Sequence, residues 1–164
     1  MLIGIDPLLP GELLAVLREM GHGDTIALVD ANFPAFHLGP PTIRIDQDLV
    51  RTGRAVLSVL PLDGFVEAPV RFMEADGEPG RLQPAHTDFV AAMQEVAGSW
   101  PVAGIERFRF YETARDCVAI VATLERRPWG NVILTKGVLD PEGRVWRPER
   151  KPVAPTGKGG RRRG

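Results

Sequence analysis

Three short apolar runs, Thr25–Val29, Cys117–Thr123 and Asn131–Thr135, constrain this chain more than any other feature. Each has the length of a buried strand, and each is bounded by turn or polar residues. Helical patterns lie between them. Leu13, Leu14, Leu17 and Met20 recur at helical spacing between Pro10 and Gly21, which suits a helix over about 10–20 that starts at a proline and stops at a glycine. Asp48 is a natural N-cap for a second helix carrying Leu49, Val56, Leu57 and Leu60 on one side. Thr87 or Asp88 is expected to cap a third from Phe89 to about Ala97, and Arg107–Tyr111 runs into a short one ending near Arg115. Short extended runs are expected at Thr42–Ile45 and Pro69–Met73, with an exposed loop from Glu74 to Gln83. Helices and apolar strands alternate without an internal repeat, which predicts an α/β sandwich with a largely parallel sheet.

The polar residues cluster at the ends of the first run. Met20–Pro34 reads Met-Gly-His-Gly-Asp-Thr-Ile-Ala-Leu-Val-Asp-Ala-Asn-Phe-Pro, with His22 between two glycines before the run and Asp30 and Asn32 after it. Ligand sites of open α/β sheets lie at strand ends, so this segment is read as site scaffold. Other chemistries drop out. Gly21-His22-Gly23 lacks the third glycine of a dinucleotide fingerprint, and no phosphate-binding loop or serine nucleophile elbow is present. His22, His37 and His86 have no metal-ligand spacing, and Cys117 has no second cysteine to pair with. Cys117 is expected to pack as a small buried hydrophobe, and His37 and His86 to lie in loops without a specific role.

The net charge of −1 hides an uneven distribution. Residues 140–164 hold eight Lys/Arg against three Asp/Glu, a balance of +5, which leaves −6 for residues 1–139. With its prolines, its glycines and a closing Arg161-Arg162-Arg163, this stretch is read as a disordered basic tail, in preference to a nucleic-acid arm. Val145 and Trp146 could tack its first part onto the body. No apolar run reaches the roughly 18 residues of a membrane span, and the N-terminus lacks the charged start of a signal peptide, so a cytoplasmic protein is expected.

Five ordered motifs carry a family resemblance: Met20–Asp24, Asp30–Pro34, Pro61–Asp63 with Val66–Pro69, Glu106–Glu112, and Gly130–Gly137. Over roughly residues 1–139 the chain resembles the L-fucose mutarotase and D-ribose pyranase family. The resemblance implies a three-layer α/β/α sandwich and cofactor-free interconversion of monosaccharide anomers or ring forms, with no metal. It also implies ring-shaped homo-oligomers, often decamers, with sites between subunits. His22 matches the family's proton donor; Asp30, Arg107, Trp129, Gly130 and Asn131 match its sugar-binding positions, and Asp63 and Tyr111 match additional ones. Arg107 stands where the ribose branch usually has His, which favours L-fucose as substrate. Trp129 departs from the usual Tyr, keeping an aromatic face but replacing a phenol by a donor-only indole.

The chemistry fits the resemblance. Mutarotation opens a cyclic hemiacetal and recloses it on the other face, which general acid and base groups can accomplish, and imidazole titrates near working pH. Taken singly, each residue also has a structural reading. His22 would end a helix, Asp30, Asn32 and Asp63 would serve turns, Arg107 would pair with Glu106 or Glu112, and Tyr111 would pack in the core. Their co-occurrence favours the site. The alternatives are a D-ribose pyranase, a sugar-binding protein without catalysis, and a basic-tailed adaptor.

Overall fold

The computed structural model describes residues 2–148, so Arg161–Arg163 and the rest of the chain from 149 on lie outside the described residues. Strand β1 (Thr25–Val29) occupies the bounds expected of the first apolar run. It lies between β5 (Ala119–Ala122), parallel to it, and β6 (Val132–Thr135), antiparallel to it. With β2 (Thr42–Arg44), β3 (Val70–Met73) and β4 (Val102–Ile105) they form one sheet in the order β2-β5-β1-β6-β3-β4. Every pairing is parallel except the two made by β6.

Alternate residues of the central strands enter different cores, as a period of two requires. Ile26, Leu28, Ala119, Val121, Val132 and Leu134 face helices α1 (Gly11–Glu19), α2 (Leu49–Leu57) and α3 (Pro84–Ala97). Ala27, Val29, Ile120, Ala122 and Ile133 face α4 (Arg107–Arg115) and a 3-10 turn at Ala35–His37. The result is the expected three-layer sandwich. Cys117 is buried, accepts a hydrogen bond from Thr25 Oγ1 and has its thiol pushed up to about 11 by burial, the behaviour of a packed residue.

Two expectations need correction. Strand β4, absent from the expected strands, follows Pro101 and carries Gly104; it is an edge strand, pairing only through β3, where such residues are tolerated. Helix α3 begins at Pro84, not Phe89. Pro84 opens its first turn and Gln83 is its N-cap, in a reciprocal capping box with His86. The cap of α2 is the one expected, with the Asp48 carboxylate accepting from Arg51 N–H.

The first residues of the expected tail fold back on the body. Asp140–Arg144 closes a turn, Leu139 and Val145 form an antiparallel bridge, and Trp146 N–H donates to Val138 O. Among the described residues no helix is long and apolar enough to cross a membrane.

Candidate active site

Strand β6 joins two polar clusters. At its C-terminal end, Lys136 is held by backbone bonds on both sides: Gly23 N–H donates to Lys136 O, Lys136 N–H donates to Asp24 O, and Leu62 forms an antiparallel bridge with Lys136. The His22 loop and the Asp63 turn, 41 residues apart, are therefore flanks of the same strand end. There His22 Nε2 lies 3.2 Å from Asp63 Oδ1, and the His22 ring lies 5.3 Å from that of Phe65. The same Asp63 oxygen accepts from Phe65 N–H at 2.9 Å. Asp63 is buried, whereas the His22 side chain is 45% exposed. An ionised carboxylate only accepts, so the nitrogen facing Asp63 carries the proton and Nδ1 is left for a ligand.

The turn at this end depends on Gly137. A Cβ there would lie 2.4 Å from Leu62 O and 2.7 Å from Asp63 Cα, both rigid backbone atoms. Gly137→Ala is expected to push the Leu62–Asp63 segment away from β6, costing about 1–3 kcal/mol and breaking the His22–Asp63 contact. Thermal unfolding checks the first effect, and loss of the His22–Asp63 hydrogen bond in a structure of the variant checks the second.

The other cluster lies where β1 ends and β6 begins. Asp30 N–H donates to Asn131 Oδ1 at 2.8 Å, and Asn131 Nδ2 donates back to Asp30 Oδ2 at 2.9 Å. This reciprocal pair fixes the amide's orientation. Asn32 N–H donates to Asp30 Oδ1. Burial raises the Asp30 carboxyl above its ordinary value, against the lowering effect of these hydrogen bonds. Asp30, Asn32, Phe33, Met73, Arg107, Tyr111, Pro128, Trp129 and Asn131 line a cleft of about 180 Å³. Arg107 reaches it from α4, with its guanidinium 5.9 Å from the Trp129 ring centre and an ion pair of 3.0 Å to Asp76. Its buried Nε has no hydrogen-bond partner among the described residues. Carboxylate, guanidinium, amide and indole face are the groups that hold hydroxyls and the apolar face of a sugar ring.

Trp129 is the only non-glycine among the described residues with positive φ, at 67°. Such a conformation costs an aromatic residue on the order of 1–3 kcal/mol and needs support from its surroundings. His86 supplies it. Buried in α3, His86 accepts from Gln83 N–H at Nδ1 and so donates from Nε2 to Trp129 O. The expectation that His86 lies in a loop without a role is thus corrected, while His37 is exposed at the end of the 3-10 turn.

Burial pushes the His86 imidazole down to about 4, from about 6.5 in an unfolded chain. Between these values the unfolded chain binds the extra proton. Stability due to neutral His86 is complete above pH ~6.5 and is lost as pH falls toward ~4, by up to about 3 kcal/mol. Unfolding temperatures from pH 7 to 4 should show that loss in the native protein and a smaller one in His86→Gln.

A sequence profile described as the RbsD / FucU transport protein family matches residues 3–139. The chain belongs to this family. Human fucose mutarotase is 44% identical over 143 residues, spanning 83% of this chain and 93% of that protein. L-Fucose mutarotase of Actinobacillus pleuropneumoniae is 44% identical over 142 residues, 84% of this chain and 97% of its own. The crystal structure of the fucose mutarotase from Streptococcus pneumoniae in complex with L-fucose superposes with a TM-score of 0.76 at 34% identity, covering 85% of this chain and all of that one.

Of the residues singled out from the RbsD/FucU resemblance, the structure brings Asp30, Arg107, Tyr111, Trp129 and Asn131 together in the cleft. His22 and Asp63 pair with each other and are not among the cleft's lining residues. Gly130 does not line the cleft either; a Cβ there would lie 2.7 Å from Glu125 Cγ, so its place is one of close packing behind Trp129. Asn32 lines the cleft as well, as do Phe33, Met73 and Pro128, which were not anticipated because none of these three stands out as polar chemistry in the sequence. Among the described residues no group of three or more His, Cys, Asp or Glu side chains could hold a metal ion.

Proposed function

We propose that this protein is a cofactor-independent isomerase that interconverts the α and β anomers of L-fucose. The observation that carries the proposal is the convergence of Asp30, Arg107, Tyr111, Trp129 and Asn131 on a monosaccharide-sized cleft, in a chain 44% identical to fucose mutarotases. Asp30 accepts a hydrogen bond from a sugar hydroxyl, and burial raises its affinity for protons, which suits a group that takes one up. Arg107 donates to sugar oxygens, Asn131 holds the Asp30 carboxylate in place, and Trp129 stacks on the apolar ring face.

His22 is the acid in this proposal. Its imidazolium gives a proton to the ring oxygen as the bond from that oxygen to the anomeric carbon breaks, while the anomeric hydroxyl passes its proton to the Asp30 carboxylate and the aldehyde forms. Rotation about the adjacent carbon–carbon bond presents the other face of the carbonyl. Reversal of the two proton transfers recloses the ring as the opposite anomer. Asp63 orients the imidazole and balances its charge.

The spacing of the two clusters supports reading this acid as serving the cleft of a different copy of the chain. The five residues of β1 separate the His22 loop from Asp30, and at ~3.3 Å per residue they span about 17 Å, more than one sugar can bridge. A ring-shaped homo-oligomer, implied by the family resemblance, would bring His22 of one subunit to the cleft of the next. The proposal also keeps the cytoplasmic location expected from the sequence.

Saturation-transfer NMR between the anomeric protons of L-fucose tests the proposal, with D-ribose measured in parallel. Faster exchange between fucose anomers on adding protein is the expected result. Contact without faster exchange would make the protein a sugar binder, and acceleration confined to ribose ring forms would make it a pyranase.

A further inference from the structure

The family match ends at residue 139, yet the chain beyond it returns to the His22 end of the sheet. The Asp140 carboxylate accepts from the N–H groups of Glu142 and Arg144, and Gly143 takes the positive φ that the turn requires. The reversed chain then lies directly on the turn that carries Asp63. A Cβ on Gly64 would meet Trp146 O at 2.7 Å, and Arg147 Cα and Pro148 Cδ at 3.0 Å each. Side chains extend the contact toward the acid. The Trp146 ring meets Phe65 edge to face at 5.8 Å, and Phe65 in turn lies 5.3 Å from His22.

Arg147 anchors the segment from behind. Its guanidinium sits 3.7 Å from the centre of the Trp100 ring and donates to Ala97 O, at the last residue of α3, and to Ser99 O just beyond it. A segment fixed at both sides of Gly64 limits the freedom of the Asp63–Phe65 turn. That turn supplies both neighbours of the His22 ring: the carboxylate at Nε2 and the phenyl face beside it. Small displacements of a proton donor have large kinetic consequences, because transfer depends on near-attack geometry.

We infer that residues 145–148 form a strap that positions the His22 acid, with Trp146 and Arg147 as positioning residues. The inference rests on the reading of His22 as the proton donor. Neither strap residue lines the Asp30 cleft of its own chain, and the inference assigns the strap to the chemical step more than to sugar affinity.

Trp146→Ala and Arg147→Ala, both at exposed positions, are compared with Trp146→Phe in the full chain. Three readouts are needed: the maximal rate and half-saturating concentration of L-fucose exchange, the unfolding temperature, and the ring-to-ring Overhauser contact between His22 and Phe65. The alanine variants should lower the maximal rate by roughly 3–10-fold at little-changed half-saturation, and should weaken the Overhauser contact. Trp146→Phe, which keeps an aromatic edge against Phe65, should restore most of both. Unchanged rate and contact in both alanine variants would overturn the inference. So would a rate loss that merely follows a lower unfolding temperature, with the His22–Phe65 contact intact. The Overhauser contact is read without turnover, so an error in assigning His22 as the acid would be recognised separately, by His22→Ala retaining its exchange rate.

Discussion

Replacing His22 by alanine is expected to slow L-fucose anomer exchange by roughly 10²-fold or more, the usual contribution of a single general acid. The fold should survive unchanged. The His22 side chain is 45% exposed, and its loop is held by backbone bonds from Gly23 and Asp24 to Lys136, which the substitution does not touch. Further support comes from Asp24, whose carboxylate accepts from Gly21 N–H at 2.7 Å, and from Lys136 Nζ, which donates to Leu17 O at the end of α1. The missing imidazole leaves Asp63 with its remaining donor, Phe65 N–H, so the buried carboxylate is not stranded. Exchange rates and thermal unfolding of the variant check the two halves of the prediction. A native-like rate in a fully folded variant would remove His22 from the mechanism.

The sheet's centre was legible because burial on both faces leaves a plain record. Thr25–Val29 is apolar from Ile26 onward, and its ends are marked by Gly23 and Asp30, so the bounds of β1 could be read directly. Of the candidate site residues, His22, Asp30 and Asn32 were legible as polar groups flanking that strand. Their partners were not. Asp63 meets His22 only because β6 runs between their two loops, and sequence records neither the position of β6 nor its antiparallel direction. His86 was missed for a similar reason: its partner is the carbonyl of Trp129, 43 residues away, and its burial follows from a helix start at Pro84. Strand β4 carries a glycine and pairs on one side alone, so it lacks the apolar density that made β1, β5 and β6 conspicuous. Trp146 and Arg147 sit in a stretch whose composition is that of a solvated tail; a turn at Asp140 and a stacking surface at Trp100 hold them on the body.

The central claim, that the acid of one subunit serves the cleft of another, is tested most directly by mixing two inactive variants. His22→Ala lacks the acid and keeps the cleft. Arg107→Ala keeps the acid and loses the guanidinium that stands over Trp129 in the cleft. Arg107→Ala is a better partner than Asp30→Asn would be, because Asn131 already donates to the Asp30 carboxylate and an amide at position 30 would set a second donor against it or against Asn32 N–H. In a ring of head-to-tail contacts assembled at random from equal amounts, roughly a quarter of the sites would join an intact His22 to an intact cleft. Anomeric exchange of L-fucose should therefore rise from background in either parent to about a quarter of the native rate in the mixture, after dissociation and reassembly. If mixed oligomers form, as mass spectrometry of differently labelled chains would establish, and exchange stays at background for every mixing ratio, the shared site is contradicted.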